Sequence, residues 1–258
     1  MKRMVIGHNV YCRMIGDEVK TFFAPPMKVD LVAYPKDIER LIVFAAKSTY
    51  KGHQAESLDE MPNDNVRRML ETFLKCGHGS VIEHGLFTFD IRNVSRALTH
   101  QLVRHRIASY TQESQHYINY NEMMFVSPDK LSKEQKGIFL KACDSAFRTY
   151  RDLIDAGYPS SEARAILPNS VASRVVASFN ARSLQNFFGL RCCHRNTWEI
   201  KKLAWGMLGI CRSVAPTLFG KMGPRCVQFG FCPEGKLSCD KYPQYPRKPF
   251  GEILEREN

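Results

Sequence analysis

Gly85–Tyr117 reads GLFTFDIRNVSRALTHQLVRHRIASYTQESQHY, and the order of patterns inside it decides the fold class. Gly85–Ile91 alternates apolar and polar positions and is rich in aromatic residues, which predicts a strand. From Val94 to His105 the apolar spacing becomes helical. Beyond it, Ile107–Tyr120 is polar and irregular, the pattern of a loop.

The flanks repeat this mixture. Upstream, Met27–Tyr34 reads as a strand ended by Pro35. Asp37–Ser48 and Asn63–Lys75 read as amphipathic helices, the first with Asp37 at its N-cap and the second stopped near Gly77. Downstream, Met123–Val126 is a short strand, and Ser132 with Gln135 forms a capping box opening a long helix that ends near Gly157. Ser160–Ile166 is a short helix and Val171–Phe179 a strand. Asn180–Cys192 and Asn196–Ser213 are successive helices, the second with Asn196 as cap, Glu199 at its third position and a buried face of Ile200, Leu203, Ala204, Met207, Leu208 and Cys211. Few strands among many helices predict an α+β domain with a small mixed or antiparallel sheet. Residues 1–220 form the catalytic domain of this reading, and 221–258 a Cys-, Pro- and Gly-rich extension packed on it.

Composition narrows the function. Hydrophobic residues at 44% and charged residues at 24% are globular rather than disordered proportions. No stretch approaches a membrane-spanning length, and Gly7, His8 and Asn9 interrupt the N-terminus where a signal peptide would be apolar. A cytoplasmic protein is the expectation. The formal charge of +11 favours an anionic partner: nucleic acid, an acidic membrane or a phosphorylated small molecule. Basic runs are short, as at Arg67-Arg68 and Lys201-Lys202, and single arginines recur among apolar residues, which suits a pocket better than a sliding surface.

Several residues stand out. On the helix expected to end at His105, Gln101, Arg104 and His105 share a face. The polar run from Ala108 to Tyr117 adds hydroxyls and amides, so the segment could cradle a phosphate and a heteroaromatic base; a solvated helix end is the bland alternative. Leu184, Phe187, Phe188 and Arg191 follow helical spacing, so Arg191 lies on an apolar stripe and either snorkels to solvent or meets a buried partner. Arg182 and Asn186 mark a polar edge of the same helix. His78–His84 (HGSVIEH) reads as an extended, ligand-lining segment with Ser80 and His84 on one side.

Arg104-His105-Arg106, seven residues and then Ser114, within RHRIASYTQESQHY, resembles the signature of flavin-dependent thymidylate synthases. Ala45–Tyr50, His78–Phe89 and Asn180–Ile200 agree with it, together spanning most of residues 27–215 in family order. The resemblance implies an α+β homotetramer with active sites at subunit interfaces, FAD as cofactor, and NADPH and methylenetetrahydrofolate as co-substrates. The implied reaction is reductive methylation of dUMP to dTMP, with no membrane or nucleic-acid partner and no cysteine nucleophile. By position, Gln101, Arg104, Gln112, Glu113, Ser114, Gln115, His116 and Arg164 would contact dUMP, and Arg191 would bind the uracil and favour its ionisation at N3. Thr49, Ser80, Glu83, Arg104, His105, Arg106, Gln112, Asn180, Arg182 and Asn186 would hold FAD, with His78 beside the flavin or folate. Two departures are expected to matter. His116 stands where the family usually has Arg. Cys193, Cys226, Cys232 and Cys239 could gather around Zn²⁺ or an iron–sulfur cluster, reduced thiols and disulfides being the alternatives.

Overall fold

The aromatic alternation of Gly85–Ile91 becomes the central strand of a five-stranded antiparallel sheet. The computed structural model describes residues 2–6, 9–15, 18–24, 26–51, 57–58, 61–116 and 122–242. The strands are β1 (Lys2–Ile6), β2 (Asn9–Ile15), β3 (Glu18–Ala24), β4 (Met27–Ala33), β5 (Leu86–Ser95), β6 (Ser109–Gln112), β7 (Glu122–Phe125) and β8 (Ala172–Asn180). The larger sheet runs β1-β4-β5-β8-β6, and the smaller runs β3-β2-β7. On β5, Phe87, Phe89 and Ile91 are fully buried, as are Val175 and Ala177 on β8. Side chains two apart share a face, so these two strands build one apolar surface for helices to cover.

The helices are α1 (Ile38–Lys51), α2 (Asn63–Lys75), α3 (Arg96–Leu102), α4 (Lys133–Asp155), α5 (Ser160–Ala163), α6 (Ala181–Arg191), α7 (Trp198–Val214), α8 (Pro216–Phe219) and α9 (Arg225–Phe229). The expected buried face of α7 is fully buried at Ile200, Leu203, Ala204, Met207, Leu208 and Cys211. Leu184, Phe187 and Phe188 of α6 join the same core. A smaller core unites Phe147 and Tyr150 of α4 with Met123 and Phe125 of β7. Ser132 and Gln135 make the expected capping box. Among the described residues no helix is long and apolar enough to cross a membrane.

Several expectations are corrected. β5 runs on to Ser95, because Val94 and Ser95 pair with Ser173 and Ala172 of β8. Helix α3 therefore starts only at Arg96 and ends at Leu102, which leaves Arg104 and His105 beyond the helix. The segment read as irregular contains β6, paired with β8 from Ser109 to Gln112; residues 117–120 lie outside the described ones. Val81–His84 is a 3-10 turn rather than an extended segment. Thr197, not Asn196, precedes α7 as its cap position, and Glu199 reaches across to Ser95 instead of closing a capping box. The first three strands were not anticipated.

Of the extension, residues 221–242 pack on α6 and the turn after it. Gln228 Nε2 donates to the carbonyls of Gln185 at 3.2 Å and Gly223 at 2.7 Å, and Arg195 pairs with Glu234. Residues 243–258 lie outside the described ones.

Candidate active site

The C-terminal end of α3 and both ends of α6 meet at a cleft of about 1050 Å³. Among the described residues its walls carry four arginines, Arg104, Arg106, Arg182 and Arg191, against one acid, Glu83. Such a concave, arginine-lined site favours anions through both charge and paired N–H donors.

Arg191 is the last residue of α6, and the apolar stripe it continues carries it inward rather than to solvent. All three guanidinium nitrogens are engaged. Nε donates to His105 Nε2 at 3.0 Å, one terminal nitrogen to Asn196 Oδ1 at 3.2 Å, and the other to the Gln101 carbonyl at 3.2 Å. These acceptors are neutral, so they orient the guanidinium without cancelling its charge. Burial, reinforced by the charge of Arg104, lowers the Arg191 pKa from its ordinary value; the group stays protonated, but an anion in the cleft would be a favourable addition.

His105 is 8% exposed and its ring meets Phe187 edge-on, centroids 4.9 Å apart at 80°. Burial, and then the Arg191 charge, pull its pKa down to about 4. Because arginine only donates, Nε2 must be the unprotonated nitrogen, with the ring proton on Nδ1. The Arg104–Arg106 turn is fastened from below: the Tyr110 hydroxyl donates to the carbonyls of His105 at 2.8 Å and Leu102 at 3.0 Å. Burial raises the Tyr110 pKa, which keeps that donor proton in place.

The other end of α3 is seated by a buried carboxylate. Glu199 accepts the Ser95 N–H at 2.8 Å and the Ser95 hydroxyl, while Ser95 Oγ accepts the Leu98 N–H at 3.0 Å as the helix cap. Thr197 Oγ1 donates to Gln101 Oε1 at 3.3 Å, a second tie between α3 and the turn before α7.

At the start of α6, Asn180 Oδ1 caps Ser183 N at 2.8 Å, and Asn180, Arg182, Ser183 and Asn186 face the cleft. Arg182 pairs with Glu83 at 2.6 Å. The His78 loop passes so close that a Cβ on Gly79 would stand 3.1 Å from Arg182 Nε. Glycine there lets backbone pack on the guanidinium.

Of the residues expected at the site, the cleft gathers Gln101, Arg104, His105, Arg106, Glu83, Asn180, Arg182, Asn186 and Arg191. The rest do not line it. Thr49 Oγ1 donates within α1 to the Ala46 carbonyl at 2.8 Å. His78 meets Phe73 edge-on, ring centroids 6.3 Å apart, and Ser80 leads into the 3-10 turn. Gln112 Nε2 donates to Thr99 Oγ1 at 2.9 Å and Ser173 Oγ at 3.2 Å. Glu113 accepts the Arg174 N–H at 3.2 Å, and Ser114 Oγ accepts the His116 N–H at 3.2 Å. Gln115 lies in the same turn, and Arg164 begins the 3-10 turn after α5. Sequence reasoning missed Asn196, Ser183 and the Gln101 carbonyl. Asn196 carries a signal, lying five residues past Arg191 at the helix end, but its spacing to Glu199 points equally to a helix cap.

The cysteine expectation is half corrected. Cys193, Cys226, Cys232 and Cys239 do line a common pocket of about 180 Å³ with Cys192. Yet among the described residues no group of three or more His, Cys, Asp or Glu is arranged to hold a metal ion. The four come from a helix end, a short helix and two turns, whose packing gathers them in one pocket without arranging them about an ion. All are free thiols, and burial raises the pKa of Cys226.

Residues 30–217 match the family model described as thymidylate synthase complementing protein. The chain is similar to a flavin-dependent thymidylate synthase of Geobacter sulfurreducens, 41% identical over 226 residues covering 86% of this chain and 97% of that one. It is similar to the Pyrococcus furiosus protein of the same name, 38% identical over 243 residues, 90% of this chain and 100% of the other. A Sulfolobus acidocaldarius relative, again of that name, is 40% identical over 205 residues, 78% of each chain.

Proposed function

The chain belongs to the flavin-dependent thymidylate synthase family, and from that premise we propose that it converts dUMP to dTMP by reductive methylation. Methylenetetrahydrofolate would be the carbon donor, NADPH the reductant and FAD the cofactor. The observation that carries this reading is Arg191, a cation held by three neutral acceptors in an arginine-lined cleft.

The residues present suit a flavin dinucleotide. The pyrophosphate of FAD is a diffuse dianion, and Arg104, Arg106 and Arg182 offer guanidinium forks, with the capped start of α6 adding backbone N–H groups. Asn180 and Asn186 supply amides for sugar or ring edges. Bound there, the flavin supplies the hydride of the reductive step. Thr49, His78, Ser80 and Gln112, which do not line the cleft, would act on FAD or folate only from another subunit or after a shift of the His78 loop.

Arg191 would hold the uracil by its carbonyl oxygens. Negative charge that develops on the ring as N3 ionises, with C5 becoming nucleophilic, is stabilised by a fixed cation of this kind more than the neutral ring is. The mechanism proposed here uses no thiol nucleophile, and among the described residues the cleft is lined by none. Gln101 and Arg104 would take further dUMP contacts. Gln112, Glu113, Ser114, Gln115, His116 and Arg164 lie away from the cleft of their own chain, an arrangement that suits a homotetramer in which one subunit completes another's site. Purified protein should be yellow, and Arg191→Ala should keep its flavin absorbance while losing dUMP-dependent NADPH oxidation. Turnover retained in that variant overturns the role given to Arg191.

A further inference from the structure

We infer that the His105 side chain is the positioning residue for Arg191, its Nε2 accepting the Arg191 Nε–H to fix the plane in which the guanidinium meets the uracil. This rests on the proposed role of Arg191, and it gives the His105 ring a task other than the FAD contact implied by family resemblance.

A guanidinium is planar, so its direction is set by its acceptors. Of the three around Arg191, His105 Nε2 is the nearest, at 3.0 Å against 3.2 Å for Asn196 Oδ1 and the Gln101 carbonyl. It is also the most firmly mounted. The ring is buried and abuts Phe187, itself fully buried, while the residue's carbonyl is held by Tyr110. Nε is the nitrogen nearest the side-chain stem, so a bond there fixes the last torsion of the arginine, while each terminal nitrogen gives one N–H to Asn196 or Gln101 and keeps a second for the ligand.

The choice of acceptor also follows from charge. A carboxylate at this position would make a stronger bond, but the pair would be neutral and its pull on a developing anion largely spent. An imidazole can hold the arginine and leave the charge free, provided it stays unprotonated. Its burial and the adjacent guanidinium ensure that, since a protonated ring would place two cations in contact. The contrast within the cleft is direct: Arg182, at the other end of α6, is paired with Glu83.

The test is dUMP-dependent turnover in the flavin-loaded tetramer or whatever assembly the chain forms, for wild type, His105→Phe, His105→Gln, Arg191→Ala and the Phe/Ala double variant. Phenylalanine keeps the ring and removes the acceptor; glutamine places its amide oxygen near the Nε2 position. The Phe variant should lose kcat on the order of 10- to 100-fold, with the dUMP KM changed less than about threefold. The Gln variant should recover much of that loss, and the double variant should be no slower than Arg191→Ala alone. If the Phe variant does not fold, Asn, whose amide falls short of Nε2, replaces it in the contrast with Gln. Wild-type kcat in the Phe variant, equal losses in Gln and Phe, or losses that multiply in the double variant would each overturn the inference. A wild type without dUMP-dependent turnover removes the function beneath it, a failure distinct from these three.

Discussion

Replacing Glu199 by alanine unseats α3, the helix whose C-terminal turn presents Gln101 and leads into Arg104–Arg106. The carboxylate is 6% exposed and receives both the Ser95 N–H, at 2.8 Å, and the Ser95 hydroxyl. Hydrogen bonds to a charged acceptor contribute about 1.5–3 kcal/mol each, and a slackened cap costs about 1 kcal/mol. Against this, removing a buried carboxylate relieves its desolvation, a cost evident in the raised Glu199 pKa, where burial outweighs the two Ser95 bonds. The net loss is about 2–4 kcal/mol, which for a chain of this size lowers Tm by about 4–16 °C. Urea or thermal unfolding at one fixed protein concentration measures it, since any assembly makes stability concentration-dependent. A Glu199→Ala variant within about 0.5 kcal/mol of wild type, or full additivity with Ser95→Ala, refutes the reasoning. The raised pKa adds a signature. Stability from Glu199 is greatest below the ordinary carboxyl pKa and is lost as pH rises through the higher folded value. The deficit of Glu199→Gln should therefore narrow as pH rises above the ordinary carboxyl range.

Asp90 should behave in the opposite sense. Burial pushes its carboxyl up, but bonds from Arg174 and Arg92 outweigh that, and the net shift is downward. Its stabilisation is therefore complete above the ordinary carboxyl range and is lost as pH falls through its depressed folded value. Asp90→Asn should cost about 1–3 kcal/mol at pH 7 and less under acid, measured by urea titration; the loss is below that of a fully buried pair because the arginine side chains are 39% and 54% exposed. Tyr110→Phe removes the hydroxyl from the His105 carbonyl and from that of Leu102, which keeps the His105 N–H, and should lower stability by about 1–2 kcal/mol by thermal unfolding, with a fall in kcat as the Arg104–Arg106 turn loosens. Gly79→Ala should weaken retention of flavin on dilution, because its Cβ would press on Arg182.

Periodicity and capping made much of the helical layer legible in advance. Ser132 and Gln135 satisfy each other within one turn, so no distant residue can overrule them. The stripe of Leu184, Phe187, Phe188 and Arg191 likewise gave both the buried face of α6 and the anomaly of a cation on it. Where tertiary pairing decides, local pattern failed. Ser95 is equally at home in a helix or a strand, and its fate is set by Ala172 of β8 and Glu199 of α7. Ser109–Gln112 becomes a strand because β8 offers it an edge. The β1 strand takes its order from β4, and β2 from β7, more than a hundred residues on in sequence. At the site, the motif Arg104–Arg106 was visible as residue types, whereas Asn196 and the Gln101 carbonyl became functional only through the direction of Arg191.

Product formation tests the account most directly. Flavin-loaded protein incubated without oxygen with dUMP, methylenetetrahydrofolate and NADPH should yield dTMP, with one NADPH consumed for each methyl group formed. A fully flavin-loaded protein that oxidises no NADPH in response to dUMP and forms no dTMP would contradict it.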